Sequence, residues 1–299
     1  MANPIVTSLP AYVEQNVEQL LSKSVLGART LDYIGIQTGV KTSASINLLN
    51  TSVEFGDGST CGFNAKGSQE ITQRIINTGL IKVNMEYCEK NLLGKYTEKL
   101  VRIGADQEEL PFEQYFVEEV IANLKAELDK AIWQGDTSSG NTTNNLKYFD
   151  GFLKIMEADN NVIKVTQATG ATAYEKIKKV YMAIPEQVID GAMIFVGADM
   201  YRSYISDLVS ANLYHYNPEN GEDGYMLPGT NVKVVKINGL NGTGKIVAGR
   251  PEHFVYGTDL ESNTEVFDLW YSKDARTFRL AIEFNSGVNY AFSDEVVLG

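Results

Sequence analysis

The sequence predicts an α+β fold from which a long arm and a long hairpin extend. Three patterns predict it. Residues 27–50 are rich in Gly, Thr, Ser and Asn without a sustained period. They lead to a run in which Ile81, Val83, Met85 and Tyr87 alternate with Lys82, Asn84 and Glu86. Residues 111–134 carry an apolar stripe at spacings of three and four. From about residue 170, helix-like and strand-like stretches alternate. With 299 residues, 43% of them hydrophobic, the chain can build one large core or two smaller ones.

Taken in order, residues 10–23 read as a short helix, with Pro10 at its first position and Val13, Val17, Leu20 and Leu21 on one face. The stretch 27–50 then reads as an extended arm that needs a neighbour to order it. Residues 51–87 read as a long hairpin. Its tip is the turn cluster from Gly56 to Gly62, and its returning arm is the alternating run to Tyr87. Such an element has little core of its own and packs on something else.

Leu110-Pro111 opens the strongest helix, with Glu108, Glu109 and Glu113 at the positive end of its dipole. Phe112, Phe116, Val117, Val120, Ile121, Leu124, Leu128 and Ile132 form its stripe, and Gly135 stops it. At 1.5 Å per residue it is about 36 Å long. Residues 136–147 are a polar loop. Helices follow at 172–183 and 198–211, around a buried strand Met193-Ile194-Phe195-Val196. Residues 212–229 read as a loop carrying Tyr214, Tyr216 and Tyr225. Strands are expected at 231–237, 245–249, 253–256, 265–271, 276–284 and 287–292.

Composition removes several function classes. No run reaches the roughly 20 apolar residues that span a bilayer. The first residues, Met1-Ala2-Asn3-Pro4-Ile5-Val6, lack the basic and apolar regions of a signal peptide, so a reducing cytoplasm is expected. Cys61 and Cys88 make no disulfide framework. The sequons at Asn50, Asn141 and Asn241 carry no consequence without secretion. The 26 Lys and Arg against 38 Asp and Glu leave a net charge of −12, which argues against a surface that grips nucleic acid. It suits a wall that contains nucleic acid without adhesion.

Catalytic signatures are few in the sequence. Gly239 to Lys245 fits G-x-x-x-x-G-K, but Ile246 stands where a phosphate loop needs Ser or Thr, and a strand follows where a helix should. A β-hairpin turn is the simpler reading. His215 and His253 have no metal-ligand partners at a suitable spacing. The pairs Glu108–Glu109, Glu118–Glu119 and Glu222–Asp223 read as solvated faces, and Asn217–Gly224 lacks the spacing of a calcium loop. No catalytic, cofactor or metal residue is assigned. A long arm, hairpin and helix without a catalytic signature describe a chain whose surface is mainly partner contact.

The order of these elements resembles the major capsid protein of tailed double-stranded DNA phages, with its Hong Kong 97-type fold. Residues 51–80 are similar to that family's extended loop. Ser68-Gln69-Glu70-Ile71 through Ile81–Tyr87 is similar to the strand that enters its peripheral domain. Residues 112–134 with Gly135-Asp136 resemble its spine helix, and Phe149-Asp150-Gly151-Phe152-Leu153 resembles the return from the polar loop. Met193–Val196 with Ala198-Asp199-Met200-Tyr201 resembles the start of its axial domain. Pro228–Val234 and Arg250–Gly257 resemble later strands of that domain, and Gly287–Phe292 its final strand.

The resemblance implies an N-terminal arm at 1–50 and an extended loop at 51–87. It implies a peripheral domain at 88–169 and 259–286, and an axial domain at 170–258 and 287–299. It implies a non-enzymatic shell protein that forms hexamers and pentamers of an icosahedral head, assembled in the host cytoplasm. That head encloses double-stranded DNA without reading its sequence, and works with a separate scaffolding protein and a portal. No cofactor and no membrane are implied. Arm and loop lie over neighbouring subunits and the axial domain meets its symmetry mates around the capsomer axis, which makes Phe55, Phe63, Lys66, Ile81, Val83, Met85, Tyr87, Tyr214 and Tyr216 the interface candidates. Some relatives cross-link through a lysine of this loop. Lys66 is the only lysine between 51 and 80, and a surface lysine is its default reading. The alternatives are an encapsulin-type nanocompartment shell and an α+β enzyme or ligand-binding protein.

Overall fold

The computed structural model describes residues 13–14, 16, 19–20, 23–55, 59, 66–88, 112–138, 145–213, 224–259 and 266–299. Two sheets and one two-stranded hairpin organise them. The described residues between 13 and 25 are helical, and Val13, Leu20 and Val25 are buried in the chain's main core.

The hairpin is β2 (Ser43–Ser52) paired antiparallel with β3 (Ser68–Asn77), in register from Ser43 opposite Asn77 to Ser52 opposite Ser68. It therefore begins inside the stretch read as arm, and its returning arm is not the alternating run. That run is β4 (Gly79–Cys88), which leaves the hairpin at Thr78 and pairs with β12 (Thr277–Tyr290). Period two marks β4 as a strand with two unlike faces, but it cannot say which strand it pairs with.

The five-stranded sheet consists of β1 (Gly35–Gln37), β4, β10 (Phe254–Thr258), β11 (Val266–Ser272) and β12. β12 is one 14-residue strand where two were expected, and Gly287 lies within it. β4 pairs along one edge, β11 and β10 along the other. Strand β10 thus belongs here, and the chain enters this sheet through 250–253. The residues around β1 need no neighbour. Leu31 is buried, and β1 runs parallel to β10.

Helix α1 (Phe112–Gln134) packs on this sheet through Val117, Val120, Ile121, Leu128, Ala131 and Ile132. Gly135 ends it with its N–H on the Ala131 carbonyl. The chain returns to that point at Gly151, whose N–H donates to the Gly135 carbonyl at 2.9 Å. A Cβ on Gly151 would lie 2.6 Å from the Gly135 nitrogen, so only glycine allows the crossing. A short helix not foreseen in the sequence, α2 (Phe152–Ala158), follows.

The six-stranded sheet runs β5 (Ile163–Lys164), β13 (Val297–Leu298), β9 (Ile246–Gly249), β6 (Met193–Gly197), β8 (Lys233–Ile237), β7 (Gly224–Met226). Helices α3 (Ala173–Ala183) and α4 (Ala198–Ser210) contribute Ile177, Val180, Tyr204 and Leu208 to a core with one face of it. Thr172 caps α3 in a capping box with Glu175. The other face joins the main core. Ile194, Val234 and Ile246 point one way, and Phe195, Val235 and Val247 the other. Burial on both faces explains the continuous apolar runs in these strands.

Strands β8 and β9 flank β6 and do not pair with each other, so the G-x-x-x-x-G-K segment is a crossing and not a hairpin turn. Its Gly239 packs on α1, where a Cβ would sit 2.1 Å from the Asp129 carbonyl oxygen. The glycine is there for close approach of helix and loop.

Candidate functional site

The hairpin has two faces set by its register. Leu48 and Ile76 are buried toward the body of the chain. On the opposite face Leu49 and Ile71 stand directly across from each other, 60% and 72% exposed, with Ile75 on the same side. A Gln73–Asn47 side-chain hydrogen bond of 2.9 Å fills the position between them. Val53 and Phe55 extend the apolar surface toward the tip, where Phe55 is 93% exposed. Lys66 Nζ lies 3.7 Å from Glu54 Oε1, both on the surface.

The expected interface residues divide. Phe55 and Lys66 stand on the projecting hairpin. Ile81, Val83 and Tyr87 do not; they pack on the chain's own main core from β4, beneath α1. Met85, 38% exposed, borders with Ile81 and Val83 a groove of about 240 Å³ that Leu124 and Tyr148 also line. Phe63, Tyr214 and Tyr216 lie outside the described residues, as do His215 and most of Asn217–Gly224. The outward residues Leu49, Ile71 and Ile75 were missed. A signal existed: Leu48-Leu49 and Ile75-Ile76 are adjacent apolar pairs, and a strand sends neighbouring side chains to opposite faces. One of each pair must point away from the body.

The hairpin root is fixed by polar contacts. Arg74 Nη2 donates to Asp159 Oδ2 at 2.9 Å and Nη1 to Ser293 Oγ at 3.0 Å, and the guanidinium lies 4.3 Å from the Tyr290 ring centre. Tyr290 Oη donates to the same Asp159 oxygen, and Asn289 Nδ2 donates to the Ile75 carbonyl. Burial works against the charged form of Asp159. The Asn161 N–H, the Arg74 guanidinium and the Tyr290 hydroxyl outweigh it and hold the carboxyl below its ordinary value. A carboxyl lowered on folding adds stability above its unfolded value, about 3.9, and loses it as pH falls through the lower folded value. The root is therefore expected to be indifferent to pH between 7 and 5 and to loosen below about pH 4. Melting curves of the parent and of Arg74→Ala against pH check this. Their difference should shrink toward pH 2; a difference unchanged at pH 2 contradicts the role given to Asp159.

A second polar joint is buried. Asp129, 3% exposed on α1, accepts from the Thr30 N–H at 2.9 Å, the Thr30 hydroxyl at 2.6 Å and the Gly239 N–H at 2.7 Å. Because the Thr30 hydroxyl gives its proton to Asp129, its oxygen is free to accept from Trp133 Nε1 at 2.7 Å. Trp133 in turn packs against Phe152 and Phe195, with ring centres 5.2 and 5.7 Å away. This joint fastens the N-terminal stretch, α1 and the β8–β9 crossing together.

At the surface beyond α1, Lys154 bridges Asp136 at 2.6 Å and Asp150 at 2.7 Å. The Lys154 hydrogen bond, then the Ser138 N–H and hydroxyl, hold Asp136 down at about 2. Among the described residues no group of three or more His, Cys, Asp or Glu could hold a metal ion, and no helix is long and apolar enough to cross a membrane.

No protein-family model and no curated protein matches the chain. Solved structures do. A chain from the satellite phage P4 procapsid, which includes the size determination protein, superposes with a TM-score of 0.64 at 11% identity, over 100% of this chain and 97% of that one. The fold is the Hong Kong 97 capsid fold. Gordonia phage Cozz gives a TM-score of 0.54 at 12% identity, over 90% of this chain and 84% of that one. A virus-like particle from Pyrococcus furiosus gives 0.53 at 8%, over 99% of both chains. At these identities the likeness is one of fold.

Proposed function

We propose that the chain is the major capsid protein of a tailed phage. It assembles as hexamers and pentamers into the icosahedral head that encloses double-stranded DNA. The observation that carries this reading is the hairpin, which takes the part of the extended loop, as α1 takes that of the spine helix, the five-stranded sheet that of the peripheral domain and the six-stranded sheet that of the axial domain. The hairpin projects from a capsid fold with Leu49, Ile71, Ile75 and Phe55 turned away from the body. Apolar side chains arranged as cross-strand neighbours form a face suited to a second subunit. The role is structural and not catalytic. A separate scaffolding protein guides assembly and a portal interrupts the shell, both in the host cytoplasm. The charge of −12 limits adhesion of packaged DNA to the wall.

The nanocompartment reading draws on the Pyrococcus furiosus particle, whose TM-score of 0.53 is below the 0.64 of the P4 procapsid chain. Sedimentation of the purified chain across a concentration series tests the proposal. Species of capsomer size or larger are expected at micromolar protein. A monomer at every concentration, with and without a co-expressed scaffolding protein, contradicts it.

A further inference from the structure

Among the described strands the chain passes between the peripheral and axial sheets three times. It leaves through 159–162 after α2, returns through 250–253 after β9, and leaves again through 291–296 after β12. These three segments form the joint between the sheets. The extended-loop root meets them directly.

We propose that Arg74 couples the tilt of the extended loop to the angle between the two sheets. Its two terminal nitrogens hold two different crossings, Asp159 of the first at 2.9 Å and Ser293 of the third at 3.0 Å. The third crossing is in turn tied to the second. The Ala291 N–H donates to the His253 carbonyl at 2.8 Å, and His253 Nδ1 lies 2.8 Å from Glu295 Oε2. One planar guanidinium therefore sits at the junction of the loop with all three connections. Hydrogen bonds weaken steeply with distance and angle, so a loop that swings about its root must either break both prongs or carry the crossings with it. Asp159 and Arg74 are mostly covered, with side-chain exposures of 16% and 22%, which keeps water from replacing the contacts. Arg74 is a positioning residue: it fixes which combinations of loop tilt and sheet angle occur together. The coupling belongs to the single chain and does not depend on the assembly reading.

Hydrogen exchange of the full-length chain, kept dilute, tests it. Arg74→Ala should speed exchange at least tenfold in β3. It should do the same at the axial amides that depend on the crossings, those of Ile163, Val165 and Gly299. The β11–β12 pairing should keep its protection. Arg74→Lys has one ammonium in place of a fork. It should keep the Asp159 contact, lose Ser293, and loosen Gly299 more than Ile163. Coupling is reciprocal, so Ser293→Ala, a change of one hydroxyl, should speed exchange in β3 several-fold although it lies outside the loop. An effect of Arg74→Ala confined to the loop, a uniform rise that includes β11–β12, or a silent β3 in Ser293→Ala overturns the proposal.

Discussion

Asp129→Ala is expected to be among the most destabilising single substitutions in the chain. It strands the Thr30 N–H and the Gly239 N–H in a site with no water access, and it frees the Thr30 hydroxyl that orients Trp133. Each buried group left unpaired costs about 1–3 kcal/mol. The loss should therefore exceed about 3 kcal/mol, a large part of the roughly 5–15 kcal/mol that holds a typical domain together. Asp129→Asn keeps the shape but turns an amide donor toward one of the N–H donors, so it should lose a substantial fraction of the same amount. Thermal and urea unfolding of the unassembled chain measure both. An Asn variant within about 0.5 kcal/mol of the parent, the range of ordinary surface substitutions, would remove the joint from the account of stability.

The second large effect should leave stability alone. Leu49→Asp with Ile71→Lys replaces an exposed cross-strand apolar pair by an opposite-charge pair, which the hairpin tolerates. Melting and secondary structure should stay at parental values. Assembly should not. Burying two such side chains contributes about 1.5–3 kcal/mol each, and every 1.4 kcal/mol is tenfold in affinity. The concentration at which particles form should rise at least about a hundredfold. Light scattering against protein concentration reads it. Unchanged assembly by a normally folded variant would show that this face is not an interface.

Much of the fold is legible in the sequence because it obeys local periods. Helices α1, α3 and α4 and strand β6 announce themselves through spacing and caps, and the structure places each within one or two residues of the reading. The hairpin is harder. Ala44, Ile46 and Leu48 alternate with Ser43, Ser45 and Asn47, but Leu49 breaks the period, so the stretch 43–52 lacks the sustained alternation that marks β4. The clear alternation of Ile81, Val83, Met85 and Tyr87 points to a hairpin's returning arm, whereas the strand belongs to the five-stranded sheet. Pairing partners are long-range facts: Leu280 opposite Met85 is set by the whole fold and by no local pattern. The same holds for polar joints. Asp129 reads as one more acidic residue on a charged helix face until Thr30 and Gly239 are brought to it from 99 and 110 residues away. Arg74 likewise gains its meaning from Asp159 and Ser293.

The function proposed for this chain is that of a self-closing shell. Its most direct test is size-exclusion chromatography of the expressed chain, with the excluded fraction viewed by negative-stain electron microscopy. Hollow particles with icosahedral outlines, accompanied by rings of capsomer size, are the predicted result, and a head-sized diameter separates a phage capsid from a small nanocompartment. A clean 33.0 kDa monomer that stays monomeric in salt, under crowding and with a co-expressed scaffolding protein contradicts it.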